Sequence, residues 1–142
     1  MDEAETNRQS IALHNKLSDC SKLAEFLARY AEKFKIPDET CHDLRLVLEE
    51  AFVNIVSYAY KTNDIQPITV ELDNTVDVIL ITFIDNGIAF NPLTYTTDCD
   101  AGDDHCEGGM GIQLIRSLTD TQEYDRAGQS NVFTLTKHYT NK

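Results

Sequence analysis

The sequence is short of positive charge. It has 12 Lys and Arg against 24 Asp and Glu, which gives a formal net charge of -12 at pH 7. An electrostatic field of this sign repels phosphate backbones and anionic lipid surfaces. We therefore expect a protein that binds neither nucleic acid nor a membrane.

Long hydrophobic runs are also missing. The longest apolar stretch, within residues 76–84, falls far short of the roughly 20 residues that a membrane-spanning helix needs. The first eight residues are polar and acidic and do not resemble a secretory signal. On these grounds we expect a cytoplasmic protein.

Paired cysteine motifs are absent as well. The four cysteines are spread along the chain without a C-x-x-C pair, at Cys20, Cys41, Cys99 and Cys106. In a chain large enough to fold by apolar burial, this spacing favours free thiols. His105 stands beside Cys106, but the spacing matches no zinc pattern, so a solvated acidic loop is the preferred interpretation.

The length and composition are those of one globular domain. With 142 residues and 42% hydrophobic residues, we expect a single domain over residues 1–142. Apolar periodicity predicts the order β-α-α-β-β-loop-α-β-β, and hence the α+β class: a mostly antiparallel sheet with helices on one face. The predicted strands are residues 10–16, 68–72, 76–84, 122–126 and 132–138, and the predicted helices are residues 18–34 with Ser18 as N-cap, 38–60 and 112–119. A hairpin turn is predicted at Asp73 and Asn74.

A first candidate pair lies on the predicted second helix. Glu50 and Asn54 are four residues apart, so their side chains stand one turn from each other and can meet one ligand. Glu49 lies well over a quarter-turn round the helix and is expected to face solvent. A Glu and an Asn at this spacing usually face solvent too, so the pair gains meaning only with further motifs.

A second candidate is the end of the predicted central strand. There a hydrophobic run leads directly into Asp85-Asn86-Gly87. Gly87 allows a tight turn and leaves Asp85 at the strand end, where its carboxylate can accept hydrogen bonds from an amine or amide donor. The alternative is an ordinary D-N-G turn without a ligand.

The third candidate is a glycine cluster before the last predicted helix. Gly108, Gly109 and Gly111 let the backbone approach a ligand closely, and the free N–H groups at a helix start suit phosphate oxygens. The alternative is a flexible hinge for a lid, and the same residues can serve both purposes.

Together, the three motifs in this order are more specific than any one alone. The segments from Glu50 to Asn54, from Asp85 to Phe90 and from Gly108 to Ile112 resemble the N, G1 and G2 boxes of the GHKL ATPase superfamily. With their flanks they resemble the anti-sigma-factor serine/threonine protein kinases. The resemblance covers about residues 10–137 and implies the Bergerat-type two-layer sandwich of that superfamily.

The resemblance implies a role for individual residues around bound ATP and Mg²⁺. Glu50 matches the general base that polarises an attacking hydroxyl, and Asn54 matches a Mg²⁺ ligand. Asp85 matches the carboxylate that holds the adenine amino group, and Gly87 shapes the floor under the base. An ATP lid is implied over about residues 91–110. The remaining nucleotide-binding positions are Ala89, Phe90, Gly108, Gly109, Met110, Gly111, Ile112 and a strand residue, Thr134.

The chain departs from the family pattern at two places. Relatives often have His four residues after the Asn, where this chain has Tyr58. Between Asn91 and Glu107 there is no Lys or Arg, although relatives often place a basic residue in the lid to neutralise the triphosphate. Because neutralising phosphate charge is most of what such enzymes provide, the acidic lid weakens the expectation of phosphoryl transfer, unless Arg116 reaches back toward the phosphates.

Two functions remain open. The first is a Mg-ATP-dependent serine/threonine kinase that phosphorylates a STAS-domain antagonist, sequesters a sigma factor and forms a homodimer, as the resemblance implies. The alternative is a nucleotide-gated binding module without catalysis, which the acidic lid and Tyr58 favour and Glu50 disfavours. A histidine kinase is disfavoured because His14 lies in a predicted strand, and no helical hairpin with a phosphoacceptor His precedes the motifs.

Overall fold

In the computed structural model of the chain, the described residues are 7–60, 64–94 and 108–140, with residues 108–111 described as backbone only. Within these ranges, five strands and three α-helices follow one another in the predicted order. The strands are β1 (Gln9–His14), β2 (Pro67–Asn74), β3 (Val78–Asp85), β4 (Thr121–Ala127) and β5 (Ser130–His138). The helices are α1 (Cys20–Phe34), α2 (Asp38–Tyr58) and α3 (Gly108–Leu118), and a 3-10 turn (Leu17–Asp19) precedes α1.

The strands form one antiparallel sheet in the order β1-β2-β3-β5-β4. The pairing of β3 with β5 places Asp85 opposite Asn131. On the other side of β3, Asp85 pairs with Ile68 of β2. The end of β3 therefore lies in the middle of the sheet, with a neighbouring strand on each side.

The helices cover one face of this sheet. Successive side chains of a strand point to opposite faces, and in β3 the residues on the helix side, Ile79, Ile81 and Phe83, are each 0% exposed. The helix α1 buries residues at intervals of three and four, as an amphipathic helix does, and α3 packs against α2. This two-layer arrangement confirms the predicted α+β class.

The turn between β2 and β3 differs from the prediction. The strand β2 continues to Asn74, which pairs with Ile79, so the turn lies at residues 75–77. The Thr75 N–H donates to the Val78 carbonyl (2.8 Å), and the Thr75 hydroxyl accepts from the Val78 N–H (3.2 Å). Val76, which was expected to open the next strand, instead lies in the turn and is 75% exposed.

The start of α1 also differs from the prediction. Ser18 lies inside the 3-10 turn, and the N-cap position belongs to Asp19, whose side chain makes no capping hydrogen bond. Instead, Asp19 Oδ2 accepts the backbone N–H of His14 at 2.8 Å. The carboxylate thus connects the helix start to the end of β1. At its other end, α2 stops at Tyr58, two residues earlier than predicted.

Two further observations concern the described residues alone. None of their helices has the length and hydrophobicity that a membrane span requires. Cys20 and Cys41 are free thiols, and burial raises the pKa of both. The expectations for Cys99, His105 and Cys106 lie outside the described residues.

Candidate functional site

The helix α2 presents the first two candidate residues. Asn54 is 9% exposed, and its carboxamide makes no hydrogen bond with any described residue. Glu50, one turn earlier, is half-buried and has no ion-pair partner in the described ranges. The Oε2 atom of its neighbour Glu49 lies 3.1 Å from Arg45 Nε. Of the two carboxylates, Glu50 is therefore the one that remains available to a ligand.

Asp85 is a buried carboxylate with one oxygen occupied. The residue is 3% exposed, and its Oδ1 accepts the Gly87 N–H (2.8 Å) and the Asn131 Nδ2–H (2.9 Å). Its Oδ2 has no hydrogen-bond donor among the described residues. Burial raises the pKa of Asp85, while the bonds from Asn131 and Gly87 and the charge of Arg126 oppose that rise. A free acceptor at a buried strand end can recognise an amino group.

Gly87 brings the turn after β3 against the end of α2. The Ile88 N–H donates to the Ala59 carbonyl at 2.9 Å. A Cβ added to Gly87 would overlap that carbonyl oxygen and lie 2.9 Å from Ala59 Cβ. The requirement for glycine here is therefore close backbone contact with α2. The resemblance implies that Gly87 also shapes the floor under the nucleotide base. Its packing against α2 is a separate reason for glycine at this position.

Phe90 strengthens the same junction. It is 7% exposed, and its ring centroid lies 5.6 Å from that of Tyr58, one turn after Asn54 on α2. Ala59, the contact point of the turn, is five residues beyond Asn54, which corresponds to ~7.5 Å along the helix axis. These contacts place Asn54 close to the segment that follows Asp85. Ala89, between the two contacts, is exposed.

The glycine cluster is part of a helix. The expectation was a helix from Ile112, whereas α3 already begins at Gly108, so Gly108, Gly109, Met110 and Gly111 form its first turn. The N–H groups of a first helical turn have no partner within the helix and suit an anion. Ile112 is half-buried against the core. Most of the predicted ATP lid, residues 95–107, lies outside the described residues.

The strand residue beside Asp85 is Asn131, and Thr134 lies elsewhere. The register pairs Thr134 with Thr82 of β3 and with Glu123 of β4. Thr134 is three positions after Asn131 on the same strand, and because this offset is odd, its side chain points to the opposite face of the sheet. The structure therefore does not bring Thr134 to Asp85.

Sequence reasoning also missed two residues of β4. The Arg126 Nη1 donates to the Gly87 carbonyl (2.8 Å) and to Asn131 Oδ1 (3.1 Å), and the Tyr124 hydroxyl donates to the same Oδ1. A signal was available in the sequence, because Tyr124 and Arg126 alternate with acidic residues in a predicted strand. Their relation to Asp85 depends on two strand registers, which the sequence pattern does not reveal.

Arg116 of α3 contacts the segment that follows Asp85. Its Nη2 donates to the Leu93 carbonyl at 3.2 Å. Leu93 is near the end of the described segment that follows Asp85. The contact ties α3 to the start of the predicted lid, while any contact of Arg116 with phosphate stays a prediction.

The chemistry of these groups fits a magnesium nucleotide. The oxygen of Asp85 that has no donor among the described residues suits an exocyclic amino group. The carboxamide of Asn54, which bonds to none of those residues, offers an oxygen of the hard type that Mg²⁺ prefers. The first turn of α3 offers N–H groups to phosphate oxygens. Glu50 adds a carboxylate that can take a proton.

Comparison with known proteins gives a consistent result. Residues 13–137 match the family described as the histidine kinase-like ATPase domain. The chain is 31% identical to the serine-protein kinase RsbW of Bacillus mycoides over 100 residues, which are 66% of this chain and 62% of that protein. It is 33% identical to the serine/threonine-protein kinase BtrW of Bordetella bronchiseptica over 97 residues, which are 67% of this chain and 68% of that protein. The match to the Bacillus relative thus spans less than two thirds of its length.

A solved structure has the same fold. The chain superimposes on the crystal structure of the RsbU and RsbW domains of a Mycobacterium tuberculosis protein with a TM-score of 0.64. The match covers 92% of this chain and 32% of that one, at 14% sequence identity.

Proposed function

Since the chain belongs to the family of histidine kinase-like ATPase domains, we propose that it is an ATP-dependent serine/threonine protein kinase that acts as an anti-sigma regulator. Two relatives at about 30% identity are named as serine or serine/threonine kinases, which supports the kinase class. The proposed phosphoacceptor is a Ser or Thr of a STAS-domain antagonist, the proposed second partner is a sigma factor, and the proposed assembly is a homodimer.

The observation that supports this function most is the state of Asp85. Its carboxylate is buried at the end of a central strand, and one oxygen holds the following turn while the other has no donor in the described part of the chain. A carboxylate oxygen with no donor among the described residues can accept a hydrogen bond from a ligand, and a donor on a bound ligand would replace the water that Asp85 loses by burial. The adenine amino group is such a donor.

The proposed reaction transfers the γ-phosphoryl group of ATP to the partner's hydroxyl. Glu50 takes the hydroxyl proton, a bond forms from the hydroxyl oxygen to the γ-phosphorus, and the bond from that phosphorus to the β–γ bridging oxygen breaks, which releases ADP. Asn54 would hold Mg²⁺, which supplies charge neutralisation on the phosphates. The backbone at the start of α3 orients the phosphates, and Asp85 orients the base.

The test compares two adjacent glutamates. The protein is incubated with radiolabelled ATP, Mg²⁺ and a STAS-domain protein encoded near its gene, and transfer to the partner is measured. Glu50→Gln is expected to lower transfer by at least about 100-fold, because a general base typically contributes 10²–10⁴-fold, while ATP binding persists. Glu49→Gln is the matched control and should transfer at the wild-type rate, because Glu49 is paired with Arg45. Full-rate transfer by Glu50→Gln would show that Glu50 is not the base.

A second candidate function is a nucleotide-gated binding module without catalysis. It is favoured by Tyr58, which packs on Phe90, and by the lack of Lys and Arg between Asn91 and Glu107. This function predicts that the protein binds ATP and its partner but leaves no label on the partner. The same incubation therefore separates the two candidates.

A further inference from the structure

The side chain of Asn131 lies at the centre of a hydrogen-bond network around Asp85. Its Oδ1 accepts the Phe90 N–H (3.2 Å), the Arg126 Nη1–H (3.1 Å) and the Tyr124 hydroxyl. Its Nδ2 donates to Asp85 Oδ1 (2.9 Å) and to the Ile88 carbonyl (2.8 Å). Every polar atom of this carboxamide thus has partners of the opposite type.

These partners determine which way the carboxamide points. A backbone N–H and a guanidinium N–H can only donate, so the atom facing Phe90 and Arg126 must be the oxygen. The amide nitrogen must then face Asp85 and the Ile88 carbonyl. As a consequence, Oδ1 of Asp85 receives a donor from Asn131, and Oδ2, to which no described residue donates, is left as an acceptor.

Arg126 acts on Asp85 in two ways. Its Nη1 donates to the carbonyl of Gly87 at 2.8 Å, which holds the turn whose N–H binds Asp85. Its positive charge favours the ionised carboxylate and so lowers the pKa of Asp85 against the larger effect of burial. The other titratable group facing Asp85 is Tyr60, beyond the end of α2, and burial raises the pKa of its hydroxyl to about 12, so it is neutral at physiological pH. Among the described residues, Arg126 therefore supplies the cation at Asp85.

We propose that Tyr124 and Arg126 of β4, acting through Asn131, are positioning residues that keep one oxygen of Asp85 as an acceptor and so select a purine with an amino group over one with a carbonyl group. This inference rests on the proposed function, in which Asp85 receives the adenine amino group.

The physical reason is the difference between an acceptor and a donor. An ionised Asp85 attracts an amino group and repels a carbonyl oxygen, whereas a protonated Asp85 can donate to a carbonyl oxygen. Adenine and hypoxanthine differ at this position, since adenine has the amino group and hypoxanthine the carbonyl. Groups that keep Asp85 ionised and correctly oriented therefore increase discrimination between the two bases.

The experiment measures binding of ATP and of inosine triphosphate, each with Mg²⁺, by isothermal titration. In wild-type protein ATP should bind more tightly. In Tyr124→Phe and in Arg126→Gln, the ratio of the two dissociation constants should fall about tenfold, the equivalent of one hydrogen bond, because each variant removes a donor that orients Asn131. Glu123→Gln is the control on the same strand, since Glu123 points to the other face of the sheet and is exposed.

A pH series separates positioning from a merely structural role. ATP binding requires ionised Asp85, so it is lost as the pH falls through the pKa of that group. Arg126→Gln removes the opposing cation, so this loss should occur at a higher pH than in wild type. Arg126→Lys should restore the wild-type position, and Tyr124→Phe should leave it unchanged because the phenol carries no charge. Thermal melting of each variant verifies that it is folded.

The outcomes distinguish this inference from the proposed function. If wild-type protein binds no ATP, or binds both nucleotides equally, the proposed function fails and the inference fails with it. If wild-type protein prefers ATP, but Arg126→Gln keeps both the preference and the pH dependence, the inference alone is overturned. A fall in preference together with the shift in pH supports it.

Discussion

Two buried aspartates of this protein have the same exposure but pKa values shifted in opposite directions. Asp19, at the start of α1, and Asp85, at the end of β3, are each 3% exposed. The pKa of Asp19 is lowered, and the first cause is the hydrogen bond from the His14 N–H. The pKa of Asp85 is raised, and the first cause is desolvation by burial.

The difference lies in depth and in nearby charge. At Asp19 the hydrogen bond from the His14 N–H outweighs desolvation, and Lys22 Nζ, 3.7 Å from Oδ1, adds a favourable charge. Asp85 lies deeper, beneath the turn that follows β3, and the two hydrogen bonds it accepts do not offset the loss of water. The comparison shows that exposure alone does not indicate what a buried carboxylate does. Asp19 connects β1 to the start of α1, whereas Asp85 is the residue that the proposed function assigns to a ligand.

The strongest test of this contrast replaces Asp85 with asparagine. In Asp85→Asn we expect ATP affinity to fall by about 100-fold or more, because an amide donor would then face the adenine amino group. The free energy of unfolding at neutral pH should not fall, since a neutral side chain avoids the desolvation cost. Isothermal titration and urea unfolding measure the two quantities. A stable variant with wild-type ATP affinity would contradict the assignment of Asp85 to the base.

The second test disturbs the packing of the turn that buries Asp85. Gly87→Ala would place a Cβ against the Ala59 carbonyl, so either the turn or the end of α2 must move. We expect a loss of about 1–3 kcal/mol in the free energy of unfolding, as for other overpacked positions, together with weaker ATP binding. Gly128→Asn is the control: Gly128 has φ +63°, a Cβ there would meet nothing within 4 Å, and Asn tolerates this conformation. Equal stability of the two variants would contradict this view of the turn.

The third test concerns Asp19. Asp19→Asn weakens the acceptor for the His14 N–H and removes the attraction to Lys22. We expect the free energy of unfolding to fall by about 1 kcal/mol, a typical value for one hydrogen bond, while ATP affinity stays at the wild-type level. The exposed Asp125→Asn on β4 is the charge-matched control. If Asp19→Asn lost ATP affinity and Asp125→Asn did not, Asp19 would contribute to ATP binding. The contrast between a structural Asp19 and a ligand-binding Asp85 would then be contradicted.

The smallest expected effect is the pH dependence of stability. The folded-state pKa of Asp19 lies below its ordinary value of 3.8, so its contribution to stability is present above that value and is lost as the pH falls through the folded pKa. The folded-state pKa of Asp85 lies above 3.8, so its favourable contribution is present below that value and is lost as the pH rises through the folded pKa. The difference in unfolding free energy between wild type and variant should therefore change with pH in opposite directions for Asp19→Asn and Asp85→Asn. Slopes of the same sign would contradict the opposite pKa shifts.

Much of the fold was predictable because its signals are local. The apolar periodicity of α1 and α2 and the alternation in β3 agree with the observed elements to within a few residues. The hairpin was misplaced because Asp73 and Asn74 favour turns, while their pairing with Leu80 and Ile79 keeps them in the strand. Local propensity was overridden there by strand pairing.

The positions of candidate-site residues could be predicted from the sequence where a motif lies on a single helix or strand. The spacing of Glu50 and Asn54 on one helix, and the position of Asp85 at a strand end, follow from local geometry. The prediction of Thr134 as the strand residue near the base depended on the register of β5 against β3. That register places Asn131 beside Asp85, and these two residues are 46 positions apart in the sequence. A shift of one residue exchanges the two faces of a strand, so this choice needed the structure.

The amino-acid sequence by itself determined the order of the elements and the class of the fold. It also contained the three motifs that resemble the N, G1 and G2 boxes. Each of these depends on residues that are close together in the sequence. The tertiary structure decided that Asn131 meets Asp85, that Tyr124 and Arg126 orient Asn131, and that Gly87 must contact Ala59. The physical reason is that hydrogen bonding across a sheet and close packing between elements depend on register and distance, and residues far apart in the sequence determine both together.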